Sequence, residues 1–175
     1  MLFRSYVGYR YYDTFAKPAA YDFGYGLSYT TFEYSDLTLS GANFDKTLQV
    51  TVTVRNSGKT AGKEVVQLYL AAPQQKMEKP VQELKGFAKT RLLQPGESQR
   101  ITFTLDPHAL ASFQSGVSAW VAEAGSYEAR IGASCKDIRL KASFNLAEPI
   151  MVEKVNDILY PNFNMQELCR NSGKL

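Results

Sequence analysis

Four runs of two-residue alternation decide what this chain can fold into. Leu48, Val50, Val52 and Val54 alternate with Gln49, Thr51, Thr53 and Arg55. One face is apolar and the other polar, as in a half-buried strand. Val66, Leu68 and Leu70 alternate with Val65, Gln67 and Tyr69, and that run ends at Pro73. Ile101, Phe103 and Leu105 alternate with Arg100, Thr102 and Thr104 in the same way. So do Ile138, Leu140, Ala142, Phe144 and Leu146 with Arg139, Lys141, Ser143 and Asn145.

Weaker runs fill the gaps. Phe32 and Tyr34 sit on one parity but Leu37 and Leu39 on the other, which predicts a bulge near Ser35 and Asp36. Residues 81–92 are uneven around Gly86, residues 118–123 contain the one tryptophan, and Tyr127, Ala129, Ile131 and Ala133 alternate again. Gln94-Pro95-Gly96-Glu97 has the residues of a type II turn. Asp106-Pro107 reads as an N-cap followed by Pro at the first helical position, opening one turn through Leu110 and Phe113.

Seven or eight short strands with turn chemistry between them predict an all-β fold, an antiparallel β-sandwich of immunoglobulin or fibronectin type III kind. Irregular extensions flank it. The organisation expected is a leader at 1–31, the sandwich at 32–147, and a short helix with a flexible tail at 148–175. The helix is expected to open at Pro149, place Val152, Val155 and Leu159 on one face, and close at Pro161.

At 175 residues the chain has room for one such sandwich and its extensions. Its 20 basic and 17 acidic residues are scattered, without the clustered stripe that nucleic-acid binding requires. No apolar run approaches the ~20 residues of a spanning helix. No signal-peptide pattern is visible at residues 1–7, which leans towards the cytoplasm and leaves the compartment open. Cys135 and Cys169 could form at most one bridge, and free thiols are expected.

The leader is lopsided. Half of the chain's aromatic residues fall before residue 33, and neither strand nor helix period organises them. Such a density must find a surface to bury against, so the leader is expected to dock on a partner or to self-associate. Gly24 and Gly26 in Phe23–Phe32, FGYGLSYTTF, are expected to let the backbone turn tightly or approach a neighbour.

GYRYYD (Gly8–Asp13), FGYGLSYT (Phe23–Thr30), VTVRNSGKTAGKEVVQLYL (Val52–Leu70), ELKGF (Glu83–Phe87), LLQPGES (Leu92–Ser98) and GSYEARIGAS (Gly125–Ser134) together resemble the C-terminal part of glycoside hydrolase family 3 enzymes, many of them β-glucosidases. The resemblance implies that residues 1–31 are the remnant of a preceding α/β domain and its linker. It also implies that the sandwich is the fibronectin type III-like domain, and that the catalytic domains lie elsewhere. Asp22 stands where relatives commonly have Pro, and Arg4-Ser5 where they have an acidic-Gly stretch.

Retaining glycoside hydrolysis needs two carboxyl groups about 5–5.5 Å apart. The family's nucleophile resembles a Ser-Asp-Trp context, and none occurs here. Ser35-Asp36-Leu37 echoes it at the bulge of an edge strand, where a turn role is expected. His108 is expected on the surface, and Trp120 in the core, with a sugar-stacking platform as its alternative. Lys85 and Gly86 read as strand with a Gly bulge rather than as a phosphate site. No catalytic, cofactor or metal residues are assigned, and no cofactor is expected. The loop PQQKMEKP, Pro73–Pro80, is either a solvated connection or an element leaning towards a substrate cleft. Two functions stay in view: an accessory docking domain whose partners are the missing catalytic domains, and a free-standing module that binds polysaccharide or protein.

Overall fold

The computed structural model describes residues 6–156. Two antiparallel sheets carry the alternating runs. One has the order β1 (Phe32–Leu39), β2 (Leu48–Asn56), β5 (Ser98–Leu105). The other has β4 (Glu83–Lys89), β3 (Val65–Ala71), β8 (Gly125–Gly132) and β9 (Ile138–Leu146). Leu48, Val50, Val52 and Val54 face Val66, Leu68 and Leu70 across one hydrophobic core, which Ile101, Phe103, Tyr127, Ile131 and Phe144 complete. The Tyr127 and Phe144 rings stack at 5.5 Å inside it. This is the all-β sandwich that the alternation predicts, because each strand has one apolar face to bury.

Local chemistry behaves as expected at several points. The β1–β2 register shifts between Ser35 and Thr38, with Asp36 at φ 52°. Glu97 N–H donates to Gln94 C=O at 2.9 Å, with Gly96 at φ 82°. The Asp106 carboxylate accepts from Ala109 N–H at 2.8 Å and caps α2 (Pro107–Leu110).

Three expectations need correction. The helix expected after Pro149 is not formed. Ile150–Lys154 is a strand, β10, paired antiparallel with β7 (Ala119–Ala122). β-branched Ile150 and Val152 suit a pleated ladder, and the open edge of β7 offers the hydrogen bonds. Leu159 and Pro161 lie outside the described residues. Phe113 belongs not to the helical turn but to β6 (Ser112–Gln114), on the other side of β7. The leader also has a period after all: Tyr9–Thr14 is a six-residue helix, α1.

β3 shows what the leader does. Its residues 66–70 are all buried, so both of its faces are covered. Val66, Leu68 and Leu70 point into the sandwich core. Gln67 and Tyr69 belong to the opposite parity, and Tyr69 lies outside the core cluster. They are buried because the leader crosses the outer face of the second sheet as a third layer.

Candidate docking surface

The leader is seated by groups that the sheet presents outwards. Tyr9 packs edge-on against Tyr69, with ring centroids 6.0 Å apart, and its hydroxyl accepts from Leu84 N–H at 2.7 Å. Burial pushes the Tyr9 and Tyr69 hydroxyls above the ordinary tyrosine range. Arg10 pairs with Glu83 at 2.7 Å, and Lys85 reaches the same carboxylate at 3.0 Å. Burial of Glu83 opposes its ionisation, yet Lys85 and Arg10 together hold it below the usual carboxylate range. The almost fully covered Asp13 side chain accepts from Gln82 Nε2 at 3.1 Å and pairs with Lys136 at 3.0 Å. The Cys135 thiol also faces it, and burial together with that carboxylate pushes Cys135 up to about 11. Cys135 is a buried free thiol, as expected, and Cys169 lies outside the described residues.

From α1 the chain runs back as a strap. Phe23 stacks on Tyr9 at 4.4 Å, and its carbonyl accepts from Cys135 N–H at 2.9 Å. Gln67 then does three jobs with one amide. Its Nε2 donates to Gly24 C=O at 3.1 Å and to Ala133 C=O at 2.6 Å, while its Oε1 accepts from Tyr69 hydroxyl. Gly24 sits at φ 82°, and a Cβ there would collide with that amide. The expected close approach is thus real at Gly24, whereas nothing crowds Gly26. Further on, the Thr30 hydroxyl donates to Asn56 Oδ1 at 2.7 Å, and fully buried Asn56 spends its Nδ2 on Thr60 and Leu93 carbonyls.

The other side of the strap has no cover from the described residues. Tyr21 is 79% exposed, Tyr25 54%, Leu27 89% and Tyr29 99%. These side chains stand on a backbone fixed at both ends, beside an open groove of about 990 Å³ whose other wall includes Lys63, Glu64 and Arg139. Burial raises the Glu64 carboxyl above its ordinary range. A row of large apolar side chains facing water is the kind of surface that another protein, a membrane or a ligand covers.

The remaining singled-out residues do not converge on a site. Asp36 is exposed at the bulge, accepting from Ser35 Oγ at 2.9 Å. His108 is exposed in α2. Trp120 departs from the expected core position: it lies 39% exposed on β7, edge-on to Phe113, because the small sheet β10-β7-β6 leaves one face uncovered by described residues. Lys85 is the extra residue of a bulge opposite Leu68 and Tyr69, and Gly86 fits there because a Cβ would press on the Phe103 ring at 3.0 Å. Phe44, Tyr69, Phe103, Tyr127 and Phe144 are buried, which leaves Phe87, Phe113 and Trp120 as the aromatic side chains with exposed surface between residues 36 and 147. Among the described residues no group of three or more His, Cys, Asp or Glu side chains could hold a metal ion, and no helix is long and apolar enough to cross a membrane.

The loop Pro73–Pro80 holds a feature the sequence did not signal. Lys79 is buried and pairs with buried Glu123 at 2.5 Å. The two are far apart in sequence, and neither lies in one of the four strong alternating runs.

A fibronectin type III-like domain model matches residues 64–135. β-Glucosidase A of Butyrivibrio fibrisolvens is 43% identical over an alignment of 177 residues, covering 89% of this chain and 21% of the relative. β-Glucosidase BoGH3A of Bacteroides ovatus is 46% identical, covering 79% of this chain and 19% of the relative. Among solved structures, β-glucosidase 3B from Thermotoga neapolitana in complex with glucose is 56% identical with a TM-score of 0.78, over 83% of this chain and 20% of that one. The GH3 β-glucosidase of Bifidobacterium adolescentis gives 39% identity and a TM-score of 0.77, over 89% of this chain and 23% of that one. The chain spans about a fifth of the length of the curated relatives it matches. A sandwich with this leader seated on its outer face belongs to glycoside hydrolase family 3, as the fibronectin type III-like region of its β-glucosidase-like members.

Proposed function

We propose that this chain is a non-catalytic accessory domain that docks on the catalytic portion of a family 3 glycosidase, with the strap at Tyr21–Tyr29 as its docking face. In this reading residues 32–147 are the sandwich proper and the leader is the adaptor that turns an aromatic row outwards. The parent activity is hydrolysis of terminal β-linked glucosyl residues, by similarity to relatives named β-glucosidases.

The observation that carries the proposal is an exposed row on a strap tied down at both ends. Gln67 Nε2 and Cys135 N–H donate to the strap carbonyls of Gly24 and Phe23, and Asn56 Oδ1 accepts from the Thr30 hydroxyl, while Tyr25, Leu27 and Tyr29 face water. Ordering such a surface without a partner would cost conformational entropy and gain no burial. The Ser-Asp-Trp context of the family's nucleophile does not occur in the sequence, which supports the non-catalytic reading.

Two assays test this. The chain alone is expected to release no product from a chromogenic β-glucoside above the buffer rate. Mixed with the catalytic portion of Thermotoga neapolitana β-glucosidase 3B lacking its own counterpart of this region, it is expected to co-elute on size exclusion. Turnover by the chain alone refutes the non-catalytic reading, and separate elution refutes docking.

A further inference from the structure

We propose that the loop Pro73–Pro80 is a second contact arm, held in one conformation by the buried Lys79–Glu123 pair, and that it meets a polar surface of the same catalytic portion. This rests on the docking reading above.

The loop is longer than its connection requires. β3 and β4 are hydrogen-bonded antiparallel neighbours, which about 2–5 residues suffice to join. Here the chain wanders from Ala72 to Gln82.

The loop is also costly to hold. Burying a lysine and a glutamate costs several kcal/mol for each ion, offset only if every polar atom finds a partner. Both do. Lys79 Nζ reaches Glu123 Oε2 and donates to Pro73 C=O at 3.0 Å. Glu123 Oε1 accepts from Lys76 N–H at 2.8 Å, so the carboxylate holds the loop at two points. The Gln74 amide brackets Lys79, accepting from its N–H at 2.7 Å and donating to its C=O at 3.1 Å. On the far side Val81 N–H donates to the Thr14 hydroxyl at 3.1 Å, which anchors the loop base to α1.

All this structure holds up a tip that faces water, with Gln74, Gln75, Lys76 and Glu78 exposed. A solvated connection has no use for it. A preorganised tip has a use, because the ordering entropy is then spent before binding. The tip offers an amide, a cation and an anion within four residues, which fits a polar surface rather than an apolar groove. The occupant is the catalytic portion because about four-fifths of the relatives' length lies outside this chain, and the loop base is tied to the same leader that carries the strap.

Hydrogen exchange on this chain, free and mixed with the same Thermotoga neapolitana catalytic portion, decides the matter. Amides of 74–78 and of 21–29 are both expected to slow by about tenfold in the mixture. Protection of 21–29 without 74–78 overturns the arm and leaves the docking reading standing. Protection of neither overturns both. As a second readout, the surface variant Gln75→Ala/Lys76→Ala/Glu78→Ala is expected to keep the wild-type melting temperature and weaken binding by about tenfold. Unchanged affinity with unchanged melting overturns the arm.

Discussion

Tyr9 and Tyr29 come from the same aromatic leader and have opposite fates. Tyr9 lies between Phe23 and Tyr69, with its hydroxyl on the backbone of β4. Tyr29 is 99% exposed. A dense aromatic stretch need not serve one surface. Here the first part is used to extend the sandwich by a layer, and that layer gives the second part a rigid base from which to face outwards.

The sharpest way to break this comparison is to remove the seat. Tyr69→Ala empties a fully buried site between β3 and the leader, and losing so large a side chain from a packed interior costs about 3–5 kcal/mol. Urea unfolding should show that loss, and Cys135 should become reactive to a thiol reagent in a Cys169→Ser background. If stability falls but Cys135 stays protected, the leader is not held by Tyr69.

Breaking the other buried anchor should cost a similar amount. Glu123→Leu leaves the Lys79 charge buried with Pro73 C=O as its remaining partner, and one-sided loss of a buried pair typically costs about 3–5 kcal/mol. Lys79→Met/Glu123→Leu is expected to recover most of it, because two apolar side chains remove the unpaired charge. Thermal melts of both variants check the sign of the difference.

Gly24→Ala is expected to cost about 1–3 kcal/mol, since it combines a positive φ with a collision at Gln67. Gly26→Ala, with nothing within 4 Å, should change stability by less than about 0.5 kcal/mol. Equal effects at the two glycines would mean that the strap is not pinned at Gly24.

The seat also carries a pH signature. Burial and the Asp13 carboxylate push Cys135 up to about 11 in the folded chain, above the ~8.5 of an unfolded thiol. Below that lower value both states hold the proton and the contribution is fully present. It is lost as pH rises towards 11, because only the unfolded state gives up its proton readily. Urea midpoints should therefore decline more steeply above about pH 8.5 in the wild type than in Cys135→Ala. Tyr9 and Tyr69 shift in the same direction and steepen the decline in both.

Much of the sandwich is legible in the sequence because its determinants are local. Alternation at Leu48–Val54 gives a face, Ser35-Asp36 breaks a parity, and Asp106-Pro107 caps a turn. What the sequence hides is non-local. Gln67 and Tyr69 read as the solvent side of a strand, since the layer that covers them lies more than forty residues upstream. Ile150–Lys154 could satisfy a helix as easily as a strand until the free edge of Ala119–Ala122 decides. Lys79 and Glu123 look like ordinary surface charges because nothing in either neighbourhood announces a partner. The strap was visible as aromatic excess, but its division into seated and exposed parts depends on which residues β3 can reach.

The account stands or falls on the exposed row. The triple variant Tyr25→Ser/Leu27→Ser/Tyr29→Ser removes it without touching the seat, and its melting temperature should match the wild type. Calorimetric titration against the catalytic portion of Thermotoga neapolitana β-glucosidase 3B is the direct measurement. The account predicts binding by the wild-type chain and a loss of about a hundredfold or more in the variant, as expected when a central apolar cluster is removed from an interface. Wild-type affinity in a normally folded variant would contradict it.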